Sequence, residues 1–159
     1  MGARKFAVIN VGRIGCAPIE RLQSPTGACD DGADALADGF DDALRSLLAS
    51  LGSGDDHRLD GLTYSLSDLY GLMRAIIADP RAAGFADVDS ACCGGGRLNA
   101  QTGCTPNATY CSHRGQYLFW DGVHGTQATS KKGALAIFSA PPQMGFAAPI
   151  NFKQLADKS

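Results

Sequence analysis

The 159-residue sequence has little that would direct it to a membrane or to a nucleic acid. No apolar run approaches the ~20 residues that a transmembrane helix needs. Basic residues number 14 and acidic residues 16, which gives a net charge of −2. This balance supplies no positive surface for nucleic acid or for an anionic membrane. We therefore expect no nucleic-acid partner and no transmembrane segment.

The cysteines lack the Cys-x-x-Cys spacing of a zinc site, although six is a large number for a chain of this size. An even count with irregular spacing is typical of a disulfide framework formed in an oxidising compartment. Asn107-Ala108-Thr109 is a glycosylation sequon and agrees with that interpretation. The sequence therefore favours a secreted protein and gives no reason to expect a metal or another cofactor.

The pattern of the first residues does not predict a signal peptide. Arg4 and Lys5 precede an apolar run over 6–11, but the run is shorter than the roughly 7–15 residues required, and Arg13 follows it. The run is rich in β-branched residues and ends at Gly12. This pattern predicts a strand that is buried on both faces of a parallel sheet. We expect either that the true N-terminus of the protein lies upstream of this strand or that the chain is a truncated product.

Predicted helices and strands alternate along the rest of the chain. Over 33–51, apolar residues recur at spacings of three and four, which predicts an amphipathic helix whose apolar face covers a sheet. A second strand is predicted over 62–66. Ser67 or Asp68 can cap the helix that follows over 69–78.

The second half of the chain begins with a segment over 84–116 that is rich in glycine, cysteine and small polar residues. It predicts a long excursion stapled by disulfides. An apolar strand over 116–120 follows, and Thr126 or Thr129 opens a last helix that ends near residue 139. The order of elements predicts one α/β domain over 1–159 with a mostly parallel sheet.

Cys16 and Cys29 enclose a short loop and are predicted to form a disulfide, worth ~3 kcal/mol in the chain-entropy model. Of the four remaining cysteines, Cys92 and Cys93 are adjacent, and the other two follow later in the excursion. The adjacent pair can bond to the later pair in either combination, and the sequence does not choose between them. These four are Cys92, Cys93, Cys104 and Cys111.

Asp121 and His124 lie between a predicted strand and a predicted helix. Sites in open parallel sheets form at that edge. An aspartate three residues before a histidine can hold one ring N–H, which leaves the other ring nitrogen free to take a proton from a hydroxyl nucleophile. A purely structural hydrogen bond at a turn is the alternative, and the spacing alone does not exclude it.

Four segments, in this order, resemble one family. They are GARKFAVINVGRIGCAP over 2–18, LSDLY over 66–70 with the following Asp79-Pro80 and Gly84-Phe85, ACCG over 91–94 with Cys104 and Cys111, and FWDGVH over 119–124. Together they resemble the C-terminal half of a plant GDSL-type esterase/lipase of the SGNH hydrolase superfamily, and the resemblance covers nearly the whole chain.

The resemblance implies a flavodoxin-like fold of three α/β/α layers with a mostly parallel sheet, whose N-terminal strands are missing from this chain. It implies hydrolysis of a small-molecule or lipid ester without a cofactor, and an extracellular location for the parent family. Asp121 would orient His124, and His124 would act first as general base and then as general acid toward the leaving alcohol.

The chain also departs from the family. The family's His-Pro-Thr or His-Pro-Ser is here His124-Gly125-Thr126, so we expect a looser turn. The Gly-Asp-Ser-Leu block with the nucleophilic serine is absent, because Gly54-Asp55 continues as Asp56-His57. The Gly-x-Asn-Asp block is absent too, and Asn10 lies inside the predicted strand.

We therefore expect little or no esterase activity from the isolated chain. The alternatives are a truncated, non-catalytic derivative that binds a lipid or a partner, and an unrelated disulfide-stapled binding module. A half sheet also leaves an unpaired strand edge and an uncovered apolar face, so we expect the isolated chain to self-associate.

Three further side chains have both a structural and a functional interpretation. His57 is expected in a solvated loop, and His113 is expected at the surface rather than as a ligand. Trp120 is expected to pack in the core, with the wall of a substrate pocket as the alternative.

Overall fold

A computed structural model describes residues 2–52 and 61–158, in which helices and strands alternate. The strands are β1 (Lys5–Val8), β2 (Thr63–Ser67), β3 (Asp87–Ala91), β4 (Tyr117–Phe119) and β5 (Ala147–Ala148). The helices are α1 (Pro18–Arg21), α2 (Asp31–Gly52), α3 (Leu69–Ala78), α4 (Gln127–Phe138) and α5 (Phe152–Asp157). The mixed α/β class is thereby confirmed. The expected loops at Gly54-Asp55 and His57 lie outside the described residues.

The strands form two small sheets in the described part of the chain, not the single sheet that we expected. β1 pairs in parallel with β2, and β2 pairs antiparallel with β5. β3 pairs in parallel with β4 in a separate sheet. The pairings of β1 with β2 and of β3 with β4 are parallel, as expected. The excursion that joins β3 to β4 is closed by disulfides, which keeps these two strands side by side.

The first strand differs most from its prediction. β1 covers Lys5–Val8 instead of 6–11, and its side chains are mainly exposed rather than buried on both faces. Phe6 is 41% exposed, and Ile9, which follows the strand, is 59% exposed. An apolar run becomes buried only when other elements cover it, and β1 has one strand neighbour among the described residues, β2.

Helix α2 forms where the periodicity predicts it, but a different face is buried. Its buried side carries Asp34, Ala37 and Asp41, with Leu44 and Leu48 half-buried beside them. Three apolar residues that we expected to cover a sheet are more than half exposed: Leu36, Phe40 and Leu47. The helix is therefore attached partly through polar contacts.

A buried hydrogen-bond network explains why an aspartate is on the packed side of α2. The carboxylate of Asp41 accepts hydrogen bonds from the Val11 amide at 3.0 Å and from Asn10 Nδ2 at 2.8 Å. Asn10 Oδ1 in turn accepts from the Leu69 amide at 2.6 Å. The network joins α2, the segment after β1 and the start of α3. Burial raises the pKa of Asp41, and the bonds from Val11 and Asn10 oppose that shift only in part.

The later helices begin as the sequence predicts. Asp68 caps α3 by accepting from the Gly71 amide, and Thr126 caps α4 by accepting from the Thr129 amide. Sequence analysis missed four short elements in segments that we expected to be loop or tail: α1, β3, β5 and α5. The main hydrophobic cluster joins α3 to the second sheet, and its buried members are Ala17, Leu72, Ile76, Phe85, Val88, Leu118 and Phe119.

Three disulfides close loops in the chain. The predicted bond between Cys16 and Cys29 is present. The structure also settles the open choice, because Cys92 is bonded to Cys111 and Cys93 to Cys104. The smaller loop is thus nested inside the larger one. Separately, none of the helices in the described ranges is long and apolar enough to cross a membrane.

We expect Asn10→Asp to destabilise the chain by about 2 kcal/mol at pH 7, because it sets a second carboxylate against Asp41 and removes the donor between them. The two carboxyls would share a proton in the folded state up to a higher pH than in the unfolded chain. The loss of unfolding free energy is therefore largest above that raised pKa, and it shrinks as the pH falls toward about 4.

Urea unfolding at several pH values measures this loss. The same change at the exposed Asn107 provides the control, and Asn107→Asp should leave the midpoint unchanged. A penalty at Asn10 that stays constant with pH would contradict the close contact between the two side chains.

Candidate active site

The candidate site lies in the loop over 120–126, between β4 and α4. The loop is closed at its base because the Trp120 amide donates to the His124 carbonyl at 2.7 Å. The Thr126 amide also donates to the Leu118 carbonyl at 3.0 Å. The Thr126 hydroxyl donates to the Tyr117 carbonyl at 2.8 Å. The residue that caps α4 therefore also fixes the helix to the end of β4.

Neighbouring segments hold the start and the middle of this loop. The Cys92 amide donates to the Phe119 carbonyl at 3.0 Å, and the Cys93 amide donates to the Trp120 carbonyl at 2.6 Å. From the other direction, the Ile19 amide donates to the Gly122 carbonyl at 3.0 Å. Segments constrained by disulfides thus contact the loop directly before Asp121 and directly after it.

Asp121 and His124, the two residues singled out from the sequence, are in direct contact. His124 Nδ1 lies 2.9 Å from Asp121 Oδ2 and 3.1 Å from Oδ1. Asp121 Oδ1 also accepts the backbone amides of Val123 at 2.8 Å and of His124 at 2.7 Å. The same carboxylate therefore shapes the turn and orients the imidazole.

The electrostatics of Asp121 favour its ionised form. Partial burial by itself would raise the pKa of this carboxyl. The amides of His124 and Val123 and the imidazole of His124 outweigh that effect, so the pKa lies below its ordinary value. An ionised Asp121 only accepts hydrogen bonds, so Nδ1 carries the proton and Nε2 is left as an acceptor. The imidazole is 77% exposed, so Nε2 is open to a reacting group.

Gly125 occupies the position where the resembled family has proline. A Cβ atom there would lie 3.0 Å from Thr129 Cγ2, and the Thr129 hydroxyl is held by a 2.6 Å bond to the Leu118 carbonyl. The absence of a side chain lets α4 approach the loop closely. Hydrogen bonds close this turn without a proline.

An apolar groove of about 600 Å³ opens beside the loop. The segment after β1, helix α3 and helix α4 form its walls. Val123 and Gly125, on either side of His124, extend it to the candidate site. Its apolar lining includes Ile9, Ile14, Ile19, Leu69, Met73, Phe119 and Ile137.

One cluster has the residue types of a metal site. The sulfurs of Cys16 and Cys29 and a carboxylate oxygen of Asp34 lie within 4.8 Å of one another. The two sulfurs are bonded to each other, so neither is a thiolate ligand. Asp34 is already engaged by the Gly15 amide and by Arg13. The cluster is therefore best explained as a structural support.

The other sequence candidates are dispersed. Trp120 is half-buried, and its ring lies 6.3 Å from that of Tyr110, so it packs less deeply than a core residue. His113 is exposed as expected, with Nδ1 at 2.9 Å from the Ser112 hydroxyl. Sequence analysis missed Arg114, which makes a cation–π contact with the Trp120 ring. A single basic residue six positions before a tryptophan forms no recognisable pattern.

We expect neutral His124 to carry its proton on Nδ1. Asp121→Asn preserves an acceptor for the two backbone amides but removes the charge that holds that proton, so the tautomer should shift toward Nε2–H. Imidazole ¹⁵N chemical shifts measure the two forms, and His113 provides the control because it lies outside the pair. Equal tautomer populations in the parent chain and in Asp121→Asn would contradict the proposed contact.

Comparison with known proteins agrees with the order of motifs in the chain. No family model matches the sequence. One GDSL esterase/lipase of Arabidopsis thaliana is 38% identical over 157 residues, which are 97% of this chain and 40% of that protein. A second is 35% identical over 157 residues, or 98% of this chain and 40% of the relative. A third is 31% identical over 156 residues, covering 98% of this chain and 39% of the relative.

The chain thus spans about two fifths of the length of the curated relatives it matches. Nearly every part of it contributes to the similarity. On this basis, nearly the whole chain is similar to one part of the GDSL esterase/lipases of Arabidopsis thaliana.

Proposed function

We propose that this chain supplies the acid/base part of a carboxylic ester hydrolase of the serine type, with Asp121 and His124 as two members of a Ser-His-Asp triad. The observation that carries the proposal is the 2.9 Å contact between His124 Nδ1 and the ionised Asp121, with Nε2 left exposed. The names of the relatives, GDSL esterase/lipases, support the same reaction class.

In this mechanism Nε2 of His124 takes the proton from a serine hydroxyl as the oxygen attacks the ester carbonyl. The imidazolium then gives that proton to the leaving alcohol, and the second half-reaction repeats both transfers with water. Asp121 keeps the proton on Nδ1 and stabilises the positive charge of the imidazolium. Its hydrogen bonds to two backbone amides keep the carboxylate in place throughout.

The nucleophile and the oxyanion donors come from residues outside this sequence. Across residues 2–52 and 61–158, no hydroxyl is hydrogen-bonded to Nε2 of His124. The proposed full fold is the three-layer SGNH arrangement, in which further strands continue the sheet beyond β1. The single pairing of β1 and the exposure of Phe6 support this arrangement.

The proposed setting is extracellular. Three disulfides are present, and such bonds persist mainly in oxidising compartments. Asn107 of the glycosylation sequon is exposed within the excursion between Cys104 and Cys111. A small-molecule or lipid ester is the proposed substrate.

The isolated chain should show no fluorophosphonate labelling, because covalent acyl transfer needs the missing serine. The matched activity test is a chimera in which this chain replaces the corresponding region of an Arabidopsis GDSL esterase/lipase. The chimera should hydrolyse 4-nitrophenyl butyrate, and His124→Ala should lower its kcat by about 10³–10⁴-fold.

His113→Ala is the control for that loss and should leave kcat unchanged. If His124→Ala retains full activity in the chimera, the acid/base role is wrong. Labelling of the isolated chain that disappears in His124→Ala would instead contradict the expectation that this chain is inactive alone.

A truncated, non-catalytic derivative that binds a partner or its own copies is the second candidate function. The observation that favours it is exposed apolar surface on both β1 and α2. Phe6 is 41% exposed and Leu36 is 77% exposed. One edge of β1 has no strand partner in the described structure. Unpaired edges with exposed apolar side chains favour strand addition.

We expect the purified chain to elute as oligomers in size-exclusion chromatography with light scattering. Phe6→Lys should shift the distribution toward monomer, because it removes the exposed apolar side chain and sets a second charge beside Lys5 on the edge strand. Tyr110→Lys, at an aromatic residue that is 61% exposed in the excursion, should have no effect. A monomeric parent chain with a cooperative thermal transition would contradict self-association.

A further inference from the structure

A second cavity, of about 860 Å³, lies beside the candidate site. It is formed where the short turn Arg114–Gln116 meets the first turns of α4. Trp120, which directly precedes Asp121, forms part of its wall. The volume is within the range of sites that hold small organic molecules. This cavity is therefore large enough for a ligand and close to the proposed chemistry.

All formal charge in the lining of this cavity is positive. Arg114 and Lys131 contribute it, and the remaining lining residues are uncharged: Gly115, Trp120, Thr126, Gln127, Ala128 and Ser130. In the part of the chain that the structure describes, no carboxylate forms an ion pair with Arg114 or Lys131. The cavity thus presents two cations without a carboxylate partner among the described residues.

Arg114 makes cation–π contacts with two aromatic rings. Its guanidinium carbon lies 5.2 Å from the centroid of the Tyr110 ring and 5.7 Å from that of the Trp120 ring. In the described part of the chain, no N–H of this guanidinium forms a hydrogen bond, so its donors are available to a ligand. Those donors match the two oxygens of a carboxylate.

Trp120 adds an apolar surface to this charged wall. A half-buried indole can stack on a flat or ring-shaped group of a ligand. A group that satisfies both parts of the wall has a negative end for the cations and a ring for the indole. Organic carboxylates with a ring-shaped body meet these conditions.

We propose that Arg114, Lys131 and Trp120 form a binding site for an organic carboxylate with a ring-shaped body. Its use as a subsite for an acidic ester rests on the proposed function, because Asp121 follows Trp120 directly. Carboxylate binding itself does not depend on the esterase mechanism.

Benzoate and benzamide test this site, because the two probes have the same ring and differ in charge. Trp120 is the one tryptophan in the sequence, so its fluorescence reports binding to the unmodified chain. Benzoate should change the emission saturably and bind at least about ten-fold more tightly than benzamide. Added salt should weaken benzoate binding and leave benzamide binding unchanged.

The variants separate charge recognition from stacking. Arg114→Gln and Lys131→Gln should each reduce benzoate affinity about ten-fold and leave benzamide affinity unchanged. Lys153→Gln on α5, where Lys153 pairs with Asp157, is the matched control and should bind like the parent. Lys131 is exposed, so its variant keeps the test valid if Arg114→Gln fails to fold.

Equal affinity for benzoate and benzamide, or no saturable change with either, would overturn the site. Unchanged benzoate affinity in Lys131→Gln or in a folded Arg114→Gln would also overturn it. The esterase chimera keeps the two proposals distinct. If the chimera is inactive while this chain prefers benzoate, the proposed function fails and the carboxylate site stands. If the chimera is active but this chain does not prefer benzoate over benzamide, the proposed function stands and the carboxylate site fails.

Discussion

The position of the candidate site depends on two adjacent cysteines at the end of β3. The amides of Cys92 and Cys93 donate to the carbonyls of Phe119 and Trp120, the last backbone groups before Asp121. Both cysteines are also cross-linked into the excursion that joins β3 to β4. Since β4 has three residues, its own pairing would hold the loop weakly. The nested disulfides add a covalent constraint to that short ladder.

A second set of contacts brings the N-terminal loop to the same place. The buried Arg21 donates to the carbonyls of Cys16 and Gly27 and pairs with Asp89 of β3 at 2.9 Å. Arg97 of the excursion donates to the Arg21 carbonyl at 3.0 Å. The first disulfide loop is thereby attached to β3 and to the excursion. The loop with Asp121 and His124 is therefore supported by parts of the chain that are distant in sequence.

The sequence predicts those parts of the fold and the site that local chemistry decides. Asp68 and Thr126 cap helices by bonding to amides three residues on, and Asp121 reaches His124 over the same spacing. Features set by distant partners were not predictable in this way. The side of α2 that is buried is set by the hydrogen bonds that Asn10 and Val11 donate to Asp41. Phe6 is exposed because little of the described chain covers β1.

The two members of the Asp–His pair differ in what they contribute to the fold, and this has an evolutionary consequence. The Asp121 carboxylate satisfies two backbone amides, whereas the imidazole of His124 is 77% exposed. Selection for folding alone would retain the aspartate in a lineage that had lost catalysis. It would leave the histidine free to drift. Among close relatives, a histidine retained at position 124 is therefore the more informative sign of continued selection for activity.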